Sequence, residues 1–254
     1  AAERRRLVVL KYPGQRFRGG YHDFVIERGG VRALPLLVSL EHKTDFVRDV
    51  VKTENAELNA LLGGGFDTGS SALILGPSGT GKSLFALTFV ESAIRRGDKA
   101  AMFVFDEELG LLISRARGMG IDIQQMVDSG NLIIDQVDAA ELSPGEFSHR
   151  VRNCVEQYQA KTVVIDSLNG FQAVMPEVTA LILHMHELLQ YLNRRGAMTF
   201  LTVAQHGLVG DMKAPVDVTY LADTVVLLRY FEAAGRVGRG ISIKKKGTGA
   251  HGHT

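Results

Sequence analysis

Short apolar runs recur along the chain at Ala72–Leu75, Ala101–Phe105, Leu132–Ile134, Thr162–Ile165, Thr199–Val203 and Thr224–Leu228, each bounded by polar residues or glycine. Runs of this length, rich in β-branched residues, predict strands buried on both faces. Stretches of helical character separate them. Ser83 to Arg96 is followed by Gly97, a residue suited to the position just past a helix end. Ser143-Pro144-Gly145-Glu146 offers an N-cap, a proline in the first helical position and a capping-box glutamate. From Thr179 onward, Leu181, Met185, Leu188 and Leu192 share one helix face, which predicts a core-facing helix. Strands alternating with helices predict an α/β fold with a mostly parallel central sheet flanked by helices.

Composition narrows the picture. At 254 residues with 45% hydrophobic positions, the chain fits one large domain or two small ones with a sizeable core. Lys+Arg 29 against Asp+Glu 28 leaves a net charge of +1, so no global field draws the protein to nucleic acid or to an anionic membrane. A DNA-binding reading has only the local cluster Arg4, Arg5, Arg6, Lys11, Arg16 and Arg18 to stand on. The N-terminus lacks the apolar run of a signal peptide, and no segment reaches the roughly 20 apolar residues of a membrane span, so the expected location is cytoplasmic. The one cysteine, Cys154, lies in the pattern Val151-Arg152-Asn153-Cys154-Val155 and is expected to pack beside the core.

The strongest chemical signal is Gly76-Pro77-Ser78-Gly79-Thr80-Gly81-Lys82-Ser83, a full Walker A sequence placed directly after a predicted strand and opening a predicted helix. Its glycines let backbone N–H groups face a phosphate, Lys82 reaches the β and γ oxygens, and Ser83 offers its hydroxyl to Mg²⁺. ATP and Mg²⁺ are therefore the expected cofactors. Thr162-Val163-Val164-Ile165-Asp166 is an apolar strand ending in a carboxylate, a Walker B candidate in which Asp166 holds the metal. Asp106-Glu107-Glu108 lies at another strand end. These acids have two readings, a base for the attacking water or a helix N-terminus favoured by the dipole. Gln205 and His206 follow a third strand, where a γ-phosphate sensor or a simple strand cap would lie. His184 and His186, two apart on a helix, point to different faces and make no metal pair. Lys244-Lys245-Lys246 reads as a charged sheet edge or as cations reaching a neighbouring subunit's nucleotide, with the edge favoured on sequence physics alone.

The chain ends echo one another, Leu7-Val8-Val9-Leu10-Lys11 matching Ile241-Ser242-Ile243-Lys244-Lys245. Either the echo is chance, or the first 34 residues are closing strands of an upstream copy of the same module and the chain stops before its own closing hairpin finishes.

Leu58-Asn59-Ala60-Leu61-Leu62-Gly63-Gly64-Gly65-Phe66 is similar to the lead-in of RecA-like P-loop ATPases, with Asn59 where aspartate is usual. Phe105-Asp106-Glu107, Ala116-Arg117-Gly118-Met119-Gly120-Ile121-Asp122, Ile165-Asp166-Ser167-Leu168-Asn169, Ala204-Gln205-His206-Gly207 and Leu221-Ala222-Asp223-Thr224 together resemble bacterial KaiC-like proteins. Arg18-Gly19-Gly20-Tyr21-His22-Asp23-Phe24 resembles the connector between that family's tandem modules, so residues 1–34 read as the end of a preceding module and 35–254 as one ATPase domain. The resemblance implies a homo-hexameric ring with ATP at subunit interfaces, slow hydrolysis, signalling to partner proteins and, in some members, autophosphorylation. It implies Asp106 and Glu107 as the paired catalytic carboxylates, with Glu107 the base and Glu108 the fallback. Thr219-Tyr220 falls at the family's phosphorylated Ser-Thr pair, which leaves a threonine acceptor alone. Of the trans-acting Lys-x-Arg finger, Lys245 is present and Gly247 replaces the arginine, which counts against fast hydrolysis and keeps open an ATP-held scaffold.

Overall fold

The computed structural model describes residues 4–41, 45–105, 107–139, 142–175, 177–205, 218–233 and 235–246. The strands are β1 (Arg6–Leu7), β2 (His22–Glu27), β3 (Gly30–Leu34), β4 (Val50–Val51), β5 (Phe66–Asp67), β6 (Ser71–Gly76), β7 (Lys99–Val104), β8 (Leu132–Gln136), β9 (Ala160–Asp166), β10 (Met198–Ala204), β11 (Thr224–Ala233) and β12 (Arg236–Lys246). The helices are α1 (Ala56–Leu61), α2 (Lys82–Arg95), α3 (Leu109–Gly118), α4 (Ile123–Asp128), α5 (Pro144–Glu156), α6 (Leu168–Val174) and α7 (Val178–Arg194).

Seven strands form the central sheet in the order β12-β11-β6-β10-β9-β7-β8, parallel throughout except for β12, which pairs antiparallel with β11. The period-2 alternation of the buried strands sorts their side chains into two layers. Leu73, Phe103, Ile165 and Leu201 face one core with α5, α6 and α7, while Ile74, Met102, Val164 and Phe200 face the other with α2, α3 and α4. The predicted α7 stripe is confirmed, since Leu181, Met185, Leu188 and Leu192 are all buried. The predicted start of α5 is also confirmed: Ser143 accepts from the Glu146 N–H at 3.2 Å and Pro144 opens the helix. The Glu146 side chain pairs with Arg150. Cys154 packs against the first core, and burial pushes its thiol up to about 11.

The N-terminal apolar run differs from expectation. Only Leu7 of the run Leu7–Lys11 is strand, paired beside Arg6, because its partner turns away: the antiparallel register Leu7↔His22 would next need Tyr21 and Gly20, and Gly20 takes φ +87°. Leu10 is accordingly 85% exposed. Near the other end, β11 and β12 pair from Ala233↔Arg236 to Thr224↔Lys246, with one irregularity at Val225/Val226.

Strands β1–β3 form a separate small antiparallel sheet that packs on α5. The buried Asp23 fixes the docking: it pairs with Arg4 at 2.9 Å and accepts from the Gly145 N–H in the first turn of α5 at 2.8 Å. A carboxylate there is favoured by the helix dipole as well as by the free N–H groups. Among the described residues no helix is long and apolar enough to cross a membrane.

Candidate functional site

The site lies at the carboxyl ends of β6, β7, β9 and β10, where an open parallel sheet places its ligands. Strand β6 delivers the chain at Gly76 into the loop that opens α2. One glycine there is required by space and another by its backbone conformation. A Cβ on Gly76 would lie 2.5 Å from the Leu228 carbonyl oxygen, and one on Gly79, at φ +78°, would lie 3.0 Å from the Tyr230 hydroxyl. Gly81 precedes α2 at φ +98° without a side-chain cap, so the first N–H groups of the helix face the loop. The loop is braced by Thr80, whose hydroxyl donates to the Pro77 carbonyl at 2.9 Å, and by Tyr230, whose hydroxyl donates to the Ser78 carbonyl at 3.4 Å.

Lys82 folds over this loop, its ammonium donating to the carbonyls of Gly76 and Pro77 at 2.9 Å each. Burial lowers its pKa, and the charges of Asp166 and Glu107 oppose that shift. The mutual influence of these three groups shows that strands remote in sequence converge on one small volume.

Asp166 ends β9 and is 7% exposed. Thr202 on the adjacent β10 donates its hydroxyl to Oδ1 at 2.5 Å, and Oδ2 is buried with no partner among the described residues. The carbonyl of Asp166 accepts from the Phe105 N–H at 2.7 Å, tying the end of β7 to the end of β9. Asn169 accepts from the Ala204 N–H at 2.7 Å and thereby holds the end of β10 against α6. Gln205 continues β10, donating its N–H to the Gly76 carbonyl at 3.0 Å, and its side-chain Oε1 is a second buried acceptor without a partner among the described residues.

Glu107 follows β7. Burial raises its pKa; Arg115 acts against that, Asp166 adds to it, and a hydrogen bond from the Ser83 hydroxyl together with the Lys82 charge lowers it. The carboxylate is ion-paired with Arg115. Glu108 resolves as a cap: its two oxygens accept from the N–H groups of Gly110 and Leu111 at 3.0 Å each, so the helix-terminus reading of the acidic triplet holds for this residue.

Behind the site, Phe105 and Phe171 flank Phe147 of α5, with ring centroids 5.3 and 4.9 Å from it. The residue after β7 and the helix after β9 therefore rest on a common aromatic support. The structure thus brings together the loop 76–83, Asp166, Glu107 and Gln205. Asp106, His206 and Gly247 lie outside the described residues, and Lys245 is placed only as a β12 position paired with Val225. Thr202, Tyr230 and Arg115 were not foreseen. Thr202 and Tyr230 reach the site from strands far along the chain, Arg115 from the helix that follows Glu107, and none carries a local motif.

A buried carboxylate oxygen with no donor among the described residues, a serine hydroxyl at the helix start and hard oxygen ligands fit a magnesium ion. The groups that would hold it are Ser83 and Asp166, and its contribution there would be to neutralise phosphate charge.

The family profile described as ATPase: KaiC matches residues 51–252. Circadian clock protein KaiC3 of Synechocystis sp. (strain ATCC 27184 / PCC 6803 / Kazusa) is 27% identical over 246 residues, covering 95% of this chain and 48% of that protein. The circadian clock oscillator protein KaiC of Acaryochloris marina (strain MBIC 11017) is 26% identical over 252 residues, covering 95% and 46%. Circadian clock protein KaiC2 of the same Synechocystis strain is 26% identical over 251 residues, covering 97% and 44%. The chain spans about half the length of these curated relatives.

Proposed function

The chain belongs to the KaiC family of ATPases, and we propose on that premise that it is a Mg²⁺-dependent module that binds and slowly hydrolyses ATP. We propose further that it acts in the cytoplasm as a homo-hexameric ring with nucleotide at the subunit interfaces and signals its nucleotide state to partner proteins. Residues 1–34 belong, in this reading, to the end of a preceding module and 35–254 to the ATPase domain. The observation that carries it is the convergence of Lys82 at the start of α2, Asp166 at the end of β9 and Glu107 just after β7, beside a loop built to expose backbone N–H groups.

Each residue has a defined task. Lys82 exchanges its two carbonyl partners for phosphate oxygens, gaining charge–charge attraction in a partly desolvated place. Ser83 and Asp166 hold the metal. Glu107 takes the proton of the attacking water, a task to which its raised pKa is suited. Asp106 supports it in the paired-carboxylate role, and Lys245 reaches the nucleotide of the neighbouring subunit. With Gly247 in place of the finger arginine, hydrolysis is slow.

Particle size and phosphate release, measured in Mg²⁺ with ATP, with ADP and without nucleotide, test the reading on wild type and Lys82→Ala. The expected result is a nucleotide-dependent hexamer that releases phosphate, with both properties lost in the variant. An ATP-held ring without release favours the scaffold, and a monomer indifferent to nucleotide overturns both. Autophosphorylation of Thr219 is a second activity to test by intact mass after incubation with ATP. Thr219 lies in a 3-10 turn before β11, and β11 runs parallel to β6 with Thr224 beside Ala72. It is therefore at the end of the sheet remote from its own P-loop, so the phosphate would have to come from another subunit.

A further inference from the structure

Glu107 is held from two sides. On the P-loop side the Ser83 hydroxyl and the Lys82 charge act on its carboxylate, and on the outer side it is ion-paired with Arg115. A glutamate side chain ends three rotatable bonds from the backbone, and Glu107 lies in the short link between β7 and α3, where no strand or helix hydrogen-bond ladder orients it. Arg115 is better anchored. It belongs to α3, whose start is fixed by the Glu108 cap and whose inner face, Leu112 and Ala116, is fully buried against the core.

We propose that Arg115 is the positioning residue for Glu107, holding the carboxylate at the mouth of the P-loop from the solvent side so that it meets the attacking water in one orientation. This inference rests on the role given to Glu107 above. A base must lie within one hydrogen bond of the proton it takes, and small misplacements of a reacting group are costly in rate. The guanidinium suits the task because it stays charged at all working pH and has several donors in a fixed plane.

The alternative is an ordinary surface ion pair. Arg115 is half exposed, with 52% of its side chain accessible, and such pairs contribute little to stability. It also stands in the last turn of α3, where any cation is favoured by the dipole. Arg117 shares that turn and that exposure and serves as the control, because it offers the same charge to the helix end.

Steady-state phosphate release as a function of MgATP separates the readings, using wild type, Arg115→Ala, Arg115→Lys, Arg117→Ala and Glu107→Gln. Arg115→Ala is expected to lower kcat on the order of tenfold, with KM within about twofold of wild type. Arg115→Lys should recover part of the loss, and Arg117→Ala should match wild type. Adding Arg115→Ala to Glu107→Gln should cause no further loss, since the two act as a unit. Wild-type kcat in Arg115→Ala, a change confined to KM, a gain in kcat, or equal losses in Arg115→Ala and Arg117→Ala would each overturn the inference while leaving the base assignment intact. Full turnover in Glu107→Gln would remove the base assignment and this inference together.

Discussion

The Thr202 hydroxyl donates to Asp166 Oδ1 at 2.5 Å across neighbouring strands of the central sheet, and the other carboxylate oxygen has no donor among the described residues. One oxygen is thus committed to the scaffold and one is reserved. Thr202→Val preserves the shape of the side chain and removes the donor. It is expected to cost about 1–3 kcal/mol, because a buried charged acceptor then goes unpaired. Urea unfolding without metal measures that loss. Saturating Mg²⁺ with nucleotide should return part of it, since a ligand that binds only the folded state stabilises it.

The P-loop glycines yield a second expectation with two distinct signatures. Gly76→Ala places a methyl 2.5 Å from a backbone oxygen of β11, an obstacle that no side-chain rotation removes. The fold itself should lose about 1–3 kcal/mol. Gly79→Ala meets a side-chain hydroxyl at 3.0 Å and a backbone conformation at φ +78° that alanine disfavours. Here the loss should appear chiefly in nucleotide affinity, read by titration with a fluorescent ATP analogue. Tyr230→Phe combined with Gly79→Ala should not restore binding, because the dihedral cost of about 1 kcal/mol remains.

Stability is expected to depend on pH through His184. Its ring stacks on Phe171 at 5.6 Å, and Nε2 lies 3.0 Å from the Ser148 hydroxyl. Burial pushes its pKa down to about 4; Asp23 opposes the shift, and Arg4 reinforces it. The unfolded chain takes up this proton near pH 6.5, whereas the folded chain refuses it until about pH 4. The unfolded state therefore binds more protons within that window, and stability falls as pH is lowered through it, by at most about 1.4 kcal/mol per unit. Above the window the contribution is constant. His184→Gln should flatten the difference between urea midpoints measured at about pH 7 and about pH 4.5, and an unchanged slope would assign the dependence to other groups.

Asp23→Asn should loosen the junction between the small sheet and α5. The variant keeps an oxygen for the Gly145 N–H but loses the charge that pairs with Arg4 and complements the helix N-terminus. Hydrogen exchange is expected to rise in β2 and in the first turn of α5 while β6 and β9 stay protected.

Phe147 is fully buried between Phe103, Phe105 and Phe171. Phe147→Ala should cost about 3–5 kcal/mol. The more conservative Phe147→Leu should fold and reduce phosphate release by disturbing the residue before the acidic pair, a combination that paired melting and turnover measurements would detect.

Legibility from sequence followed the range of the interaction. The P-loop was readable because its signal is local: glycines, lysine and serine stand at consecutive positions and fold into one loop. The central strands were readable because burial on both faces makes them uniformly apolar, although their ends moved by one to several residues, as with Ala160–Asp166 around the expected Thr162–Ile165. Glu108 was ambiguous because a catalytic acid and a helix cap occupy the same kind of position and differ only in where the oxygens point. Arg115, eight residues from Glu107, was hidden because helix spacing does not say that an exposed arginine turns back to a residue before the helix. Thr202 and Tyr230 were hidden for a different reason. Strand order puts β10 beside β9 and β11 beside β6, and no periodicity along the chain encodes which late strand neighbours which early one. The run Leu7–Lys11 was misleading in the same way, since a strand needs a partner and Gly20 turns the partner aside.

Strand β6, which carries the loop, has β10 and β11 as its two neighbours, and both are made long after it. During synthesis the nucleotide loop therefore emerges on a strand with both edges bare and waits for most of the domain to follow. Such distant pairing slows folding and exposes apolar edges to aggregation in the interval. A ribosome-bound nascent chain should consequently gain its ability to retain ATP abruptly, once β11 has cleared the exit tunnel, and not when the loop itself appears.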